Sequence, residues 1–266
     1  RVMCGIMIGR TTILLGAAVL VTLPSIAQTA SGCKGPADLA AAVRGQPGAE
    51  VYTALGYWFI EHKELECAIS AFRSAVKLDG NSVAARYNLG VALAETGDYA
   101  ASVEHLRVAA RLKPDDPNVR NVLSEVERQL SAVAAGHFQR SVALLDNRQP
   151  DLARKELEAA LRAKPDFTEA LVNLGVICQQ QRRTKEAEQL FRRAIAANGR
   201  YAPAYLNLGL SLETQKRYAE ASQVLKKGAD ADPANPAMHT AYGMTLVRLG
   251  QMDEAAGALK KVVELQ

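Results

Sequence analysis

The sequence predicts an all-α fold, a solenoid built from stacked antiparallel helix pairs. Three observations predict it: glycines 34 residues apart, apolar residues at intervals of three and four, and prolines that end the repeats. The spaced glycines lie within helix-like apolar patterns and are Gly56, Gly90, Gly175, Gly209 and Gly243. Glycine costs roughly 1 kcal/mol relative to alanine inside a helix, so we expect close contact between packed helices at these positions.

Each repeat reads as two helices joined by a turn. With the glycine counted as position 8, the repeats begin at Ala49, Val83, Ala134, Thr168, Ala202 and Pro236. In the first helix an apolar or aromatic residue precedes the glycine. In the second helix small and large residues alternate, as in Ala187, Phe191 and Ala194. Lys-Pro-Asp or Asp-Pro turns close repeats at Pro114, Pro165 and Pro233, since proline stops a helix.

These offsets resemble the tetratricopeptide repeat, whose signature has Trp, Leu-Gly, Tyr, Ala, Phe, Ala and Pro at the same places. The resemblance covers residues 49–266, with six repeats. It implies a right-handed superhelical solenoid in which the first helices line a concave groove. An ordinary helical bundle with accidental periodicity is the alternative.

The pattern departs from this period between the second and third complete repeats. The interval from Gly90 to Ser141 is 51 residues, or one period plus 17. The extra residues, 117–133, read like a first helix without its partner. We predict a single long helix from about Asn118 to Asp146, on the order of 40 Å at 1.5 Å per residue. A tight break near Ser131–Gly136 is the alternative.

The predicted organisation therefore has five parts. They are residues 1–27, a signal peptide or membrane anchor; residues 28–48, a cap segment containing a short apolar helix; residues 49–116, a block of two repeats; residues 117–133, the linking half-repeat; and residues 134–266, a block of four repeats. Repeat proteins need caps because the outer face of a terminal repeat has no neighbour.

The N-terminal segment predicts export. Thr11–Leu23 is a mostly apolar run without acids, preceded by Arg10, and is short for a membrane span of about 20 residues. Ser25 and Ala27 stand where signal peptidase requires small residues. We favour a cleaved signal and a periplasmic or extracellular protein. An uncleaved anchor is one alternative, and lipid attachment at Cys33, in a weak lipobox-like context, is another.

The four cysteines fit this compartment. Cys4 would leave with the signal, and Cys178 occupies a core position of its repeat. We hypothesise that Cys33 and Cys67 form a disulfide that holds the cap, which is worth about 3–4 kcal/mol in the chain-entropy model. The alternatives are two unpaired thiols in a reducing compartment, or a lipid on Cys33, which excludes the bridge.

The surface chemistry gives no indication of catalysis or nucleic-acid binding. The net charge is +4, with both signs interspersed along the helices. The four histidines are widely separated and have no metal-ligand spacing. Neither a phosphate-binding glycine loop nor a nucleophile elbow is present in the sequence. We therefore expect a protein that is not an enzyme and has no cofactor or metal.

The resemblance implies which residues face the groove. At the fifth, sixth and ninth places of three repeats, these are Tyr87, Asn88, Val91, Val172, Asn173, Val176, Leu206, Asn207 and Leu210. Asparagine offers a donor and an acceptor, so a row of them could pair with an extended peptide backbone. The alternative is that each asparagine bonds within its own repeat. The lysine and asparagine with which some relatives hold a terminal carboxylate are absent from the fifth and ninth places.

We expect a non-enzymatic scaffold that binds a protein or peptide segment in this groove. The alternative is a membrane-tethered or self-associating assembly factor for a cell-envelope complex. Val262 and Leu265 in the last turns would mediate its self-association.

Overall fold

The computed structural model describes the backbone of residues 4–8, 11–15 and 26–28 and the whole of residues 32–265. It confirms the predicted all-α fold, with thirteen helices among the described residues. They are α1 (Ala37–Gly45), α2 (Ala49–Glu61), α3 (Leu65–Leu78), α4 (Val83–Glu95), α5 (Tyr99–Leu112), α6 (Pro117–Asp146), α7 (Pro150–Ala163), α8 (Thr168–Gln180), α9 (Thr184–Ala197), α10 (Ala202–Thr214), α11 (Tyr218–Ala231), α12 (Pro236–Arg248) and α13 (Met252–Glu264). The chain forms two compact units, unit 1 (Arg1–Leu130) and unit 2 (Ser131–Gln266).

Four short strands precede the helices. They are β1 (Cys4–Ile8), β2 (Thr11–Leu15), β3 (Ile26–Gln28) and β4 (Lys34–Pro36). The first two pair antiparallel, with Cys4 opposite Leu15, and the last two pair antiparallel, with Ile26 opposite Pro36. The rest of the predicted signal, residues 1–27, lies outside the described residues, so its cleavage remains a prediction.

Unit 1 contains two complete helix pairs, α2–α3 and α4–α5. A Cβ atom on Gly56 would lie 2.6 Å from Cδ1 of Phe72, and one on Gly90 would lie 2.6 Å from Cγ of Leu106. Both distances are far below an ordinary carbon–carbon contact of about 3.5–4.0 Å. The expected close approach of the paired helices is confirmed, and it explains why glycine is kept inside each first helix.

Unit 2 repeats the same construction in α8–α9, α10–α11 and α12–α13. A Cβ atom on Gly209 would lie 2.5 Å from Cγ of Leu225, and one on Gly243 would lie 2.8 Å from Cγ of Leu259. A core cluster of this unit combines small and large buried residues from α7 to α11, including Ala187, Leu190 and Phe191.

Two serines occupy places where most repeats have glycine or alanine, and both are buried. The Ser102 hydroxyl donates to the carbonyl oxygen of Gly90 at 2.6 Å, across the α4–α5 pair. The Ser141 hydroxyl donates to the carbonyl oxygen of Phe138 at 2.6 Å, within α6. Because each hydroxyl has a partner, the small polar side chain is accommodated in the core.

The predicted long helix is confirmed: α6 runs for 30 residues without the alternative break near Ser131–Gly136. Its first part packs through Val122 and Val126 against α4 and α5 of unit 1. The second part packs through Phe138 in the core of unit 2. The helix continues because no proline interrupts the apolar stripe.

The turn inside each helix pair contains one residue with a left-handed backbone. Two of these residues are glycines, Gly97 and Gly250. The other four, at the equivalent place in their repeats, are Lys63, Arg148, Arg182 and Lys216, with φ between 57° and 63°. This conformation is strained for residues that carry a Cβ atom.

Candidate functional site

The candidate groove of unit 1 lies on one face of α4. Four residues share this face because they follow one another at intervals of one, three and four: Tyr87, Asn88, Val91 and Glu95. Asn88 and Val91 are buried, whereas Tyr87 and Glu95 are half-buried. Val91 packs with Val122 of α6 in the core of the unit. Position 9 of this repeat is therefore a packing residue in the structure.

Asn88 connects two neighbouring first helices. Its Nδ2 donates to the Tyr57 hydroxyl of α2 at 2.6 Å and to the Ala84 carbonyl oxygen of its own helix at 2.7 Å. Burial raises the pKa of Tyr57, and the hydrogen bond from Asn88 lowers it in part. Burial also raises the pKa of Tyr87, and the negative charge of Asp116 adds to this effect.

The candidate groove of unit 2 is less closed. Val172 is buried, but Asn173, Val176, Leu206 and Asn207 are half-buried, and Leu210 is exposed. Asn207 donates through Nδ2 to the Pro203 carbonyl oxygen of its own helix at 2.8 Å. Asn207 thus bonds within its own repeat, as the alternative interpretation of the asparagines expected, whereas Asn88 bonds both its own helix and Tyr57 of the preceding repeat.

The structure reduces the number of predicted groove residues that a ligand can contact. Asn88, Val91 and Val172 are buried, so they cannot touch a ligand without a movement of the neighbouring helices. Six of the predicted residues remain accessible to a ligand and are Tyr87, Asn173, Val176, Leu206, Asn207 and Leu210.

Two exposed apolar side chains on α12 were missed by the sequence reasoning. Met244 is 53% exposed and Val247 is 44% exposed. Met244 lies 34 residues after Leu210, which is 40% exposed and itself lies 34 residues after Val176. Helix α10 contacts both α8 and α12, so Val176, Leu210 and Met244 form an apolar row across three first helices. The same repeat offset in the last repeat could have identified Met244.

The N-terminal cap is held by a covalent bond. Cys33 and Cys67 are joined by a disulfide, with their Cα atoms 5.6 Å apart. A sulfur in a disulfide cannot carry a lipid, so this structure is incompatible with lipidation of Cys33. Leu39 and Val43 of α1 pack against the core of the first helix pair, which gives α1 the position of a cap.

Cys178 is a buried thiol in the core of unit 2. Burial raises its pKa to about 11, and the negative charge of Glu186 adds to the shift. A thiol with such a pKa is a poor nucleophile at neutral pH.

Among the described residues, no group of three or more histidine, cysteine, aspartate or glutamate side chains is placed to hold a metal ion. In the same part of the chain, each helix is too short or too polar to span a bilayer.

The last helix has an exposed apolar side. Val263 is 75% exposed, and Met252 and Leu259 of α13 are exposed as well. Val262 and Leu265, which were predicted to mediate self-association, are half-buried.

Comparison with known proteins agrees with this architecture. The family description "Tetratricopeptide repeat" matches residues 54–117, 138–203, 179–236 and 212–266. The bacteriophage adsorption protein A of Escherichia coli (strain K12) is 32% identical over 106 residues. The match covers 40% of this chain and only 11% of that protein, so the chain spans a small part of its relative.

Two solved structures are similar in fold. A crystal structure of MamA is 21% identical, with 66% of this chain and 94% of that chain covered and a TM-score of 0.45. The crystal structure of the APC/C hetero-tetramer Cut9-Hcn1 is 17% identical, with 86% of this chain and 42% of that chain covered and a TM-score of 0.46. The repeat matches extend over most of the helical region, and they show that this chain belongs to the tetratricopeptide repeat family.

Proposed function

We propose that this scaffold binds a peptide or protein segment on the exposed face of its first helices, and that it carries no catalytic activity of its own. The observation that carries the proposal is the apolar row of Val176, Leu210 and Met244. Single exposed apolar residues are normal on protein surfaces, but here the exposed Leu210 and Met244 and the half-buried Val176 occupy the same place in consecutive repeats. Covering one leucine or methionine is worth about 1.5–3 kcal/mol.

Polar groups beside the apolar row support an extended ligand. The half-buried amides of Asn173 and Asn207 lie one helical turn before Val176 and Leu210. Asn207 uses Nδ2 within its own helix, and its Oδ1 can still accept a hydrogen bond. Recognition would therefore combine apolar contacts with hydrogen bonds to the ligand backbone.

The proposed location is the periplasm or the extracellular space. The apolar run Thr11–Leu23 and the small residues Ser25 and Ala27 support a cleaved signal. The Cys33–Cys67 disulfide supports an oxidising compartment, since such bonds are rare in the cytosol. Peptide sequencing of the mature N-terminus after expression in a bacterial host tests this location.

A displayed library of random twelve-residue peptides provides probes for the groove. Selected peptides are then titrated by fluorescence anisotropy against Leu210→Asp, Met244→Asp and the control Leu152→Asp. Leu152 is 47% exposed on the second helix α7, away from the apolar row. We expect the two row variants to weaken binding at least about tenfold, because each loses an apolar contact. Unchanged binding, or an equal loss in the control, would contradict the proposal.

The alternative function is a self-associating or membrane-tethered assembly factor for a cell-envelope complex. The exposed side of α13, with Met252, Leu259 and Val263, favours self-association. Sedimentation equilibrium separates the two functions. A dimer that Val263→Asp converts to a monomer supports the assembly factor, and a monomer at all concentrations favours the peptide-binding scaffold.

A further inference from the structure

The first helices of the two complete pairs of unit 1, α2 and α4, carry charges of one sign on the face of Tyr87 and Glu95. Helices α2 and α4 contain three acids, Glu50, Glu61 and Glu95, and a single base, Arg86. The Arg86 side chain lies on the other side of α4, where it has partners of its own. Its Nε donates to the Gly80 carbonyl oxygen at 2.6 Å, and its Nη1 lies 3.3 Å from Nδ1 of His105 in α5.

Glu95 is an acid without a counter-charge among the described residues. Its Oε1 is buried and accepts no hydrogen bond from them. Burial raises the pKa of this carboxyl group. The other half-buried acids on first helices have donors. Glu125 accepts from Arg128 and Gln129, and Glu213 accepts from the Thr245 hydroxyl at 2.5 Å.

A second acceptor without a donor lies on the same face of α4. Asn88 precedes Glu95 by seven residues, which is two helical turns, or roughly 10 Å. It is only 2% exposed, and its side chain crosses from α4 to Tyr57 of α2, on the floor of the candidate groove. Its Oδ1 accepts no hydrogen bond within the described part of the chain. Buried acceptors without a donor are unfavourable, and both oxygens add to the negative potential of this face.

Aromatic rings accompany these acceptors. Tyr57 and Tyr87 are half-buried on either side of Asn88, and Asp116 lies near enough to Tyr87 to raise its pKa. The face of a tyrosine ring attracts ammonium and guanidinium groups. The candidate face of unit 1 therefore has hydrogen-bond acceptors, aromatic rings and negative charge, whereas that of unit 2 has the uncharged apolar row.

We propose that this acidic face, formed by Tyr57, Tyr87 and Glu95, binds a basic peptide segment. The Glu95 carboxylate accepts hydrogen bonds from a lysine or arginine side chain of the ligand through the oxygen that is not buried. This inference rests on the proposed function, since it assigns a ligand chemistry to the first helices of unit 1.

The test uses three fluorescein-labelled decapeptides and the full chain. One alternates lysine with alanine, the second has acetyl-lysine in place of lysine, and the third has glutamate. The lysine peptide is expected to bind saturably in low salt, and the other two are not. Glu95→Gln should weaken its binding about tenfold, because a charge-assisted hydrogen bond becomes a neutral one. The control Glu125→Gln should change it less than about twofold, because Arg128 already pairs with Glu125.

Two results would overturn the inference. One is that the lysine and acetyl-lysine peptides bind equally well, or that neither peptide binds. The other is an equal loss in Glu95→Gln and Glu125→Gln, which indicates diffuse charge attraction. Circular dichroism of Glu95→Gln verifies that the variant folds. If library-selected peptides still bind the apolar row while the lysine peptide fails, only this inference is wrong. If both fail, the proposed function is wrong as well.

Discussion

Replacing Gly175 by alanine tests the reason for the repeated glycines. The new Cβ atom would lie 2.9 Å from both Cδ1 and Cζ of Phe191, and closer still to Cε1. Carbon atoms in contact are normally about 3.5–4.0 Å apart, and the Phe191 ring is completely buried, so it has little room to move. Overpacking of this kind costs about 1–3 kcal/mol. Alanine recovers about 1 kcal/mol of helix propensity, so we expect a net loss of up to about 2 kcal/mol.

Gly136 provides the matched control, because it is also a glycine inside a helix. A Cβ atom there would have Arg140 Nη1 as its nearest neighbour, at 3.6 Å. That distance is an ordinary van der Waals contact, so only the gain in helix propensity remains. Gly136→Ala should therefore stabilise the protein by about 0.5–1 kcal/mol.

Urea unfolding followed by circular dichroism measures both variants. The midpoints are compared only if the slope of the transition is unchanged. The two changes should move the free energy of unfolding in opposite directions, roughly 2 kcal/mol apart. If Gly175→Ala is as stable as Gly136→Ala, close packing is not the reason for the glycine.

Three further predictions follow from the cysteines and a histidine. Cys67→Ser should lower the free energy of unfolding by about 3–4 kcal/mol in urea titrations, because it opens a loop with Cys33 over a separation of 34 residues. Cys178, with a pKa of about 11, should resist iodoacetamide at about pH 8 in the native protein and react in denaturant, as mass spectrometry would show. Burial, and then the charge of Arg86, lower the pKa of His105. The folded state therefore binds a proton less readily than the unfolded state, so stability is lost as the pH falls below about 6.5. His105→Asn should remove that part of the pH dependence in thermal melts.

The sequence could predict the helices because the contacts within each helix pair recur as fixed spacings between residues of the sequence. The 34-residue offset of Gly175 and Gly209 reflects the contacts of these glycines with Phe191 and Leu225, and those contacts lie inside one helix pair. The continuity of α6 was predictable for the same reason, since it depends on a stripe of residues along one helix.

The accessibility of the groove could not be predicted in this way. Asn88, Val91 and Val172 are buried, although the equivalent residues of most other repeats are half-buried or exposed. Burial at these places depends on how closely one helix pair approaches the next, and residue identity within a single repeat does not determine that distance. The unpaired carboxylate of Glu95 was missed because an absent partner leaves no pattern in the sequence.

The left-handed turn residues indicate where this protein can be made more thermostable. Lys63, Arg148, Arg182 and Lys216 have Cβ atoms where Gly97 and Gly250 have none. Glycine at any one of them should add about 0.5–1 kcal/mol, the released strain less the entropy that glycine loses on folding. The four turns belong to different helix pairs, so the gains should be nearly additive. Engineering could thus raise the melting temperature without altering any residue of the two candidate binding faces.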